Sequence, residues 1–470
     1  MKNFLIFLFL FLFSVGIVNA KTTGDTIITH ADGSYELVKG KYVGILSEGE
    51  EAQPNFVYEL FDEPGQKDQW YLDNTVGDAE ADIEYKSAVK ELEGTKLSDI
   101  IVAVVDTGVD YTHLDLKSMM WDGKDCVSDT GSKIGGCIHG YSFAYGGAGN
   151  DPHPMKESYG AGYYHGTHVA GIIGAAINGN GVAGVAKNVK IMAIRADSGD
   201  GLNTFDLIRG IAFARENGAK VINASWGSGC GKPEDGEDKA LKSEIANFPG
   251  IFVASAGNGD SSGRGCNHDV RFTVPSSYRS SLENMIVVAA SDTYDKLTSF
   301  SDYGSKTVDV AAPGKDILST VPGNKYAFLN GTSMAAPVVA GIAGAIWGIN
   351  PETKTDVIAK IIRDTVDVPR SISGTVMYGR VDFLSAAKKA KSIITPPSVT
   401  SIPTSAPSCK SCKGIGDYNC DEVVNGLDYT WWKQEFIDKL QHGGKWEASF
   451  DCSGTVTSEG YSRWRSNYLK

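Results

Sequence analysis

Residues 331–349, GTSMAAPVVAGIAGAIWGI, decide the fold because they predict a helix whose sides are all apolar. Other elements must cover such a helix completely, so it runs through the core of a large domain. Pro337 is compatible with the first turn, where a residue need not donate a backbone hydrogen bond. We therefore expect a buried helix that begins at Ser333.

Ser333 lies between a Gly-Thr pair and a run of small or apolar residues, which leave its hydroxyl little covering. A nucleophile needs that space, because a substrate carbonyl, a base and oxyanion-stabilising donors must all reach it. The N-terminus of a helix also supplies free amides and partial positive charge. The alternative is a serine that only caps the helix.

The composition of the 470-residue chain excludes several classes of protein. Lys and Arg number 44 against 57 Asp and Glu, a formal net charge of -13, so no nucleic acid partner is expected. A hydrophobic share of 42% and 55 glycines fit a globular protein rich in tight turns, not a disordered or fibrous one. The length allows about two to four domains.

Short apolar runs that end in Gly, Asp, Ser or Asn alternate with helical patterns, such as 204–218, in the middle of the chain. This alternation predicts an α/β fold, with a parallel sheet covered by helices on both faces. The working residues of such sheets gather at the C-terminal ends of the strands, where Asp106, Ser225 and Asn258 fall. The predicted strands lie within 99–110, 189–196, 219–227, 250–258 and 284–291.

The N-terminus has the pattern of an export signal, with Lys2, an apolar run from Phe4 to Val18 and a small-residue site that ends at Ala20. An uncleaved membrane anchor is the alternative, but the run is shorter than the roughly 20 residues that a spanning helix needs. We expect cleavage after Ala20 and a secreted chain, extracellular or cell-surface associated, with no membrane segment beyond the signal.

A stretch rich in proline and hydroxyl residues near the C-terminus divides the chain, because it buries too little apolar surface to fold and behaves as a spacer. The lead segment is polar and acidic, and its apolar runs at 35–46 and 55–61 are candidates for paired strands. We expect five regions: a signal peptide 1–20, a short pro-like segment 21–66, a main domain 67–391, a linker 392–411 and a tail module 412–470.

Export favours disulfides, since thiols outside the cytosol oxidise and stay paired. Four of the eight cysteines lie in the main domain, and four cysteines allow three pairings, so the sequence does not fix the connectivity. Our expectation is the pairing of neighbours, Cys126 with Cys137 and Cys230 with Cys266. A zinc site in CKSC at 409–412 has weak support, because no second ligand pair follows at zinc-finger spacing.

Four motifs stand along the main domain: DTGVD at 106–110, HGTHVAG at 165–171, SAGN at 255–258 and GTSMAAP at 331–337. In their order and their residues they resemble the subtilisin-type serine peptidases, the subtilases. The resemblance covers residues 67–390 and implies the fold already expected from the strand pattern.

The resemblance implies a role for each polar residue of these motifs. Ser333 attacks a peptide carbonyl, His165 takes its proton and returns it to the leaving amine, and Asp106 holds the imidazole in the working tautomer. Asn258 and the Ser333 amide donate to the oxyanion. His168 is then a structural histidine that packs on its own helix.

The resemblance also implies how a protein or peptide substrate binds. Two family segments hold the extended substrate between them as an added β-strand. Their hydrogen bonds go to the main chain of the substrate more than to its side chains, so broad specificity is expected. The expected walls of the first pocket, 225–227 and 254–257 with Thr273 near the base, contain no acidic residue, which favours apolar or uncharged residues before the cut. Pro275 matches a family proline that follows a cis bond. The implied substrate residues are Gly199, Asp200, Gly201, Ser225, Trp226, Gly227, Gly257 and Thr273.

Calcium is the ion that the resemblance implies, in the loop AAINGNGVAGVA. Carbonyls of Ala176, Asn180 and Val182 and the side chain of Asn178 are expected to meet Asp115 at a structural site. Oxygen donors of this kind suit a hard cation. The alternative is a glycine-rich turn that binds no metal.

The tail carries a weak repeat that resembles a dockerin-like, α-helical pair of calcium loops, which implies a cohesin-like docking partner. Glu422 replaces the usual glycine of the first loop, and Ser449 and Gly460 stand in the second where carboxylates are expected. Cys420 and Cys452 occupy equivalent places, so a disulfide there is an alternative to a second ion. The first loop offers Asp417, Asn419, Asp421, Asn425 and Asp428.

Two classes of function remain open from the sequence. The first is a secreted serine endopeptidase, active through an acyl-enzyme, whose tail docks it to a partner. The second is a non-catalytic surface binding or assembly protein that uses the peptidase fold as a scaffold. The intact set of Asp106, His165, Asn258 and Ser333 favours the first.

Overall fold

The computed structural model describes residues 22–29, 35–38, 51–56, 65–75, 77, 80–144, 149–155, 161–197, 201–230 and 238–394. The chain divides into two units, Met1–Thr395 and Pro396–Lys470. The predicted signal peptide, the tail module and all but the first three residues of the predicted linker lie outside the described residues.

Nine strands of the described residues form one sheet, in the order β13-β14-β10-β9-β8-β7-β4-β6-β5. All neighbouring pairs are parallel except β13 and β14 at one edge. The five runs predicted as strands all contain one, which confirms the parallel sheet. The strands are β4 (Ile100–Asp106), β5 (Gly140–Ser142), β6 (Val189–Arg195), β7 (Val221–Ala224), β8 (Ile251–Ser255), β9 (Met285–Ser291), β10 (Val310–Pro313), β13 (Val366–Asp367) and β14 (Gly379–Val381).

Helices cover both faces of this sheet, as predicted. Along β4, Val102 and Val104 pack into one apolar cluster with α1, α2, α5, α6 and α7, whereas Ala103 and Val105 pack into another with α3 and α4. This alternation follows from the two-residue period of a strand. Among the described helices, none is long and apolar enough to cross a membrane. The helices are α1 (Tyr85–Glu91), α2 (Ala161–Gly174), α3 (Thr204–Glu216), α4 (Lys239–Asn247), α5 (Thr332–Trp347), α6 (Thr355–Asp364) and α7 (Phe383–Ile394).

Helix α5 is the predicted buried helix, and all of its residues are buried. Its glycines let it approach its neighbours closely. A Cβ atom added at Gly341 would lie 2.7 Å from Cβ of Val185, and one at Gly344 would lie 2.6 Å from Cγ1 of Val189. Neither distance leaves room for a methyl group, so the path of α5 over the sheet depends on these two residues.

Two smaller sheets complete the described structure. The hairpin of β11 (Ile317–Val321) and β12 (Lys325–Leu329) precedes α5. The lead segment forms an antiparallel sheet in which β2 (Tyr35–Val38) and β3 (Glu51–Phe56) flank β1 (Thr22–Thr29). The described parts of the two predicted apolar runs, 35–38 and 55–56, belong to strands that pair with β1, which was not predicted, and not with each other.

Both predicted disulfides of the main domain are present. Cys126 is bonded to Cys137, and Cys230 is bonded to Cys266. The peptide bond between Val274 and Pro275 is cis, as predicted. These three features all lie in loops between the strands, so they constrain segments that the sheet itself does not hold.

Replacing Gly341 with valine should lower the free energy of unfolding by about 1–3 kcal/mol, because the added methyl groups overlap Val185. Urea unfolding would measure the change. Gly229→Ala is the control, since a methyl group there meets no atom within 4 Å. Equal stability of Gly341→Val and the wild type would show that α5 can move away from Val185 without cost.

Candidate active site

The four motif residues lie on elements that meet at one edge of the parallel sheet. Asp106 is the last residue of β4, and Asn258 follows β8 by three residues. His165 lies in the first half of α2, and Ser333 is the second residue of α5. The carboxyl ends of parallel strands share one edge, which is why residues so distant in sequence are gathered there.

Asp106 and His165 are joined by a hydrogen bond of 2.8 Å between Oδ1 and Nδ1. The same carboxylate oxygen accepts the backbone amide of Thr107 at 2.7 Å, and the Thr107 hydroxyl accepts the amide of Gly166 at 3.0 Å. The start of α2 is therefore tied to the end of β4. Within the described residues, Nε2 of His165 has no hydrogen-bond partner, so it is the nitrogen left for proton transfer.

The environment of His165 raises its pKa above the ordinary value of 6.5. Burial, the largest single influence, lowers this pKa, but the charge and the hydrogen bond of Asp106 together outweigh it. Asp106 is nearly fully buried, and its Oδ2 has no partner among the described residues. The carboxylate therefore acts mainly on the imidazole.

His168, one helical turn further on, has the opposite environment. Burial lowers its pKa to about 4, and its Nε2 contacts the carbonyls of Ile317 and Ala327 at 3.0 and 2.9 Å. A neutral imidazole donates to both strands of the β11–β12 hairpin. This geometry is that of a structural histidine, as the family resemblance implies.

Ser333 is bonded twice to Ser225. Its hydroxyl donates to the Ser225 carbonyl at 3.0 Å, and the Ser225 hydroxyl donates to the Ser333 carbonyl at 2.8 Å. That carbonyl is available because the residue four positions later, Pro337, has no amide hydrogen to donate. Asn223 donates to the Ser225 hydroxyl at 2.8 Å and orients it.

The capping alternative for Ser333 does not fit this geometry. Gly331 occupies the cap position of α5, and the Ser333 hydroxyl donates a hydrogen bond instead of accepting one from the first turn. Among the described residues, no hydrogen bond joins Ser333 to His165. Such bonds are often absent without substrate and form when it binds.

Asn258 is held in one orientation by Thr332. Its Oδ1 accepts the Thr332 amide at 2.9 Å and the Thr332 hydroxyl at 3.1 Å. With the oxygen occupied by two donors, Nδ2 points away from Thr332. Asn258 is exposed, so this nitrogen can donate to a bound group.

The predicted substrate residues fall into three groups. Gly199 and Asp200 lie outside the described residues, and Gly201 follows them on the surface. Ser225, Trp226 and Gly227 continue from β7, and the Trp226 indole donates to the Val105 carbonyl at 2.8 Å. Gly257 precedes Asn258, and Thr273 is almost fully buried, with no partner for its hydroxyl among the described residues.

A cleft of about 590 Å³ is lined mostly by residues that adjoin Gly227, Asn258 or Thr273 in the sequence. One of them is Asp260, whose pKa is lowered by hydrogen bonds from Ser262, so the cleft contains a carboxylate. The expected pocket walls, 225–227 and 254–257 with Thr273, do not line this cleft, so a pocket without acidic residues stays a prediction. The lining residues are Ser228, Gly229, Cys230, Gly259, Asp260, Ser261, Phe272 and Val274.

The predicted calcium loop surrounds a buried carboxylate. Oδ2 of Asp115 accepts the Val182 amide at 3.2 Å and the Tyr326 hydroxyl at 3.0 Å, and Oδ1 accepts Nδ2 of Asn178 at 3.3 Å. No Lys or Arg of the described residues pairs with this buried charge. A carboxylate that has only neutral partners fits a hard cation.

The other predicted ligands lie in the same loop, although some are oriented differently. Asn178 presents its amide nitrogen to Asp115, while its oxygen accepts the amide of Asn180 at 3.0 Å. Ala176 donates its amide to the Asp115 carbonyl at 2.7 Å. The tail ligands Asp417 to Asp428 lie outside the described residues.

Several residues that shape the site were not singled out from the sequence. Thr107 follows Asp106 and Thr332 precedes Ser333 inside the quoted motifs, so their positions in the sequence could have indicated a role in the site. Asn223 gave no such signal, because it precedes Ser225 within a buried strand and resembles any polar residue there.

Three comparisons identify related proteins. Residues 98–390 match the model of the Subtilase family. The chain is 38% identical over 349 residues to a thermophilic serine proteinase of Bacillus sp. (strain AK1), with 72% of each chain covered. It is 36% identical over 292 residues to thermitase of Thermoactinomyces vulgaris, covering 61% of this chain and 88% of thermitase.

A solved protease from Pseudoalteromonas arctica is similar in structure, with a TM-score of 0.55 and 26% identity. The match covers 71% of this chain and all of that protease. The relatives are serine proteinases, and the hydrogen-bonded pair of Asp106 and His165 agrees with that chemistry. The chain is therefore a serine endopeptidase of the subtilase family.

Proposed function

We propose that the chain hydrolyses peptide bonds through Asp106, His165 and Ser333. His165 removes the proton of Ser333 as its oxygen attacks the carbonyl, then gives that proton to the leaving amine. Water then attacks the acyl-enzyme. His165 takes a proton from this water and returns it to the Ser333 oxygen as the acyl bond breaks. The 2.8 Å bond between Asp106 and His165 carries this proposal, because it leaves Nε2 as the only nitrogen that can move the proton.

The tetrahedral intermediate is stabilised by the amide of Ser333 and by Nδ2 of Asn258. Two features support this role for Asn258: its oxygen is already occupied by Thr332, and its side chain is exposed. A donor that is oriented before the reaction needs no reorganisation when the charge develops.

The substrate is an extended protein or peptide segment that pairs with Ser225 to Gly227 and with Gly199 to Gly201. The Ser225 carbonyl, which accepts the Ser333 hydroxyl without substrate, then accepts a substrate amide. This exchange frees the hydroxyl to donate to His165. Gly257 and Thr273 are the remaining proposed contacts.

Calcium is a structural ion in this proposal. Asp115, Ala176, Asn178, Asn180 and Val182 would hold it, and the ion would offset the buried charge of Asp115. A hydrogen-bonded loop without metal would leave that charge opposed by neutral donors alone.

The remaining proposals rest on the sequence. The chain is secreted after removal of residues 1–20, with a pro-like segment 21–66, a catalytic domain 67–391 and a linker 392–411. The region 412–470 is a dockerin-like module that binds a cohesin-like partner, with calcium held by its first loop. The family comparisons favour the peptidase over the scaffold hypothesis, and no observation in the described residues favours the scaffold.

Replacing Ser333 with alanine should abolish casein hydrolysis and labelling by a fluorophosphonate, while thermal unfolding stays nearly unchanged. The substitution removes only one hydroxyl, from the first turn of α5, and leaves the rest of the helix packed. Gel labelling, a casein assay and calorimetry measure the three effects. Casein hydrolysis by Ser333→Ala at the wild-type rate would contradict the assignment of Ser333 as the nucleophile.

The acid limb of kcat/KM should lie above pH 6.5, because only neutral His165 accepts the Ser333 proton and Asp106 raises its pKa. Activity is therefore lost as the pH falls through this raised value. Asp106→Asn should lower kcat about 10⁴-fold. It should also move the acid limb to lower pH, because burial lowers the pKa of His165 and the opposing charge of Asp106 is then gone. Profiles from about pH 5 to about pH 9 on a non-titrating peptide test this. An unmoved limb would assign the titration to another group.

Chelation of calcium should lower the thermal midpoint of the catalytic domain, because an ion bound only to the native state stabilises it. Asp115→Ala should remove this dependence. Asp421→Ala in the tail is the matched control, and it should leave the dependence intact. Calorimetry with and without chelator measures both. If the wild-type midpoint does not respond to the chelator, the loop around Asp115 holds no structural calcium.

A further inference from the structure

Asp302 holds the chain on both sides of Asn258. Its backbone amide donates to the Gly257 carbonyl at 3.0 Å, and its carboxylate Oδ1 accepts the Gly259 amide at 3.0 Å. The two residues that flank Asn258 are thus bonded to the same residue of another loop. No other described residue bonds to both, and of the two bonds only the one to Gly259 is made by the Asp302 side chain.

The Asp302 carboxylate is itself fixed by a buried network. Oδ1 also accepts the Cys266 amide at 2.6 Å, and Oδ2 contacts Nε2 of His268 at 3.1 Å. The side chains of Asp302 and His268 are 1% and 0% exposed. A buried carboxylate that accepts this many hydrogen bonds has little freedom to move.

Gly257 shows how closely this carboxylate approaches. The residue has a φ of 127°, and a Cβ atom added there would lie 2.3 Å from Oδ2 of Asp302. Only glycine combines that backbone conformation with that contact. The amide of Gly257 donates to the Thr332 hydroxyl at 3.0 Å, so the segment is tied to α5 as well.

The sulfurs of Cys230 and Cys266 lie near Asp302, and these three residues together have the spacing of a metal cluster. The two cysteines form a disulfide, so neither supplies a thiolate for a metal. The cluster is therefore a structural brace. The Cys266 amide bonds to Asp302 and the Cys266 carbonyl accepts the Tyr303 amide at 2.9 Å, so Cys266 joins the segment after Asn258 to the loop that carries Asp302.

From these contacts we infer that Asp302, supported by His268, is a positioning residue for the oxyanion donor Asn258. This inference rests on the proposed role of Asn258. Thr332 sets the rotation of the Asn258 amide, whereas Asp302 sets the position of its backbone. A donor displaced by about 1 Å can lose about 100-fold in rate, so removal of the brace should lower turnover.

The test is a double-mutant cycle in the full chain, with kcat and KM measured on a peptide p-nitroanilide and active sites titrated by a fluorophosphonate. Asp302→Ala should lower kcat about 10- to 100-fold and change KM less than about threefold. In the Asn258→Ala background it should lower kcat less than about twofold further, because the group it positions is already gone.

Two matched variants separate positioning from general stability. Asp302→Asn keeps an oxygen that can accept the amides of Gly259 and Cys266, so kcat should stay within about threefold of the wild type. Asp269→Ala removes a carboxylate from the segment between β8 and β9, which also carries Asn258. This carboxylate bonds to Lys306 and Thr307 and has no bond to residues 257–259. That variant should leave kcat within about twofold. If Asp302→Ala fails to fold, Asp302→Ser takes its place, because the serine hydroxyl is too short to reach the amides of both Gly259 and Cys266.

The inference is overturned if the losses of Asp302→Ala and Asn258→Ala multiply, or if Asp302→Asn loses as much as Asp302→Ala. Either result would mean that Asp302 affects turnover without acting through Asn258. An Asn258→Ala variant with wild-type kcat is a different failure, since it would remove the proposed oxyanion donor itself and the inference with it.

Discussion

The structure depends on the packing of one helix of small residues, α5, against a parallel sheet. Gly344 lets the helix approach Val189 of the sheet, and Gly341 lets it approach Val185, which precedes β6, and in both places no room is left for a side chain. Because the N-terminus of this helix carries Ser333, the position of the hydroxyl is set by core packing along all four turns. Pro337 adds the second constraint, since its missing amide leaves the Ser333 carbonyl to the hydroxyl of Ser225.

The large elements and the reactive residues could be predicted from the sequence, because both depend on local patterns. Continuous apolar runs give buried strands, and the motif residues fall where such strands end. The two disulfides followed from simple proximity in sequence. His168 could be separated from His165 only by the family resemblance, and the structure supplies the reason, which is burial against the carbonyls of a hairpin.

Other features could not be predicted, because they depend on contacts between segments far apart in sequence. Asp302 lies 44 residues from Asn258, and nothing in its own motif indicates that it contacts Gly257 and Gly259. The strand β1 has few apolar residues, so its pairing with β2 and β3 gave no periodic signal. Asp260 was not singled out from the sequence, because the cleft that it lines lies beyond the residues that the family motifs contain.

The two faces of the sheet have unequal importance for function. One face packs against α2 and α5, which carry His165 and Ser333, whereas the other packs against α3 and α4, which carry none of the four motif residues. Core changes on the first face therefore alter stability and chemistry together. For a laboratory evolving this enzyme, α3 and α4 themselves are the better places for stabilising substitutions, because neither helix carries a reacting group.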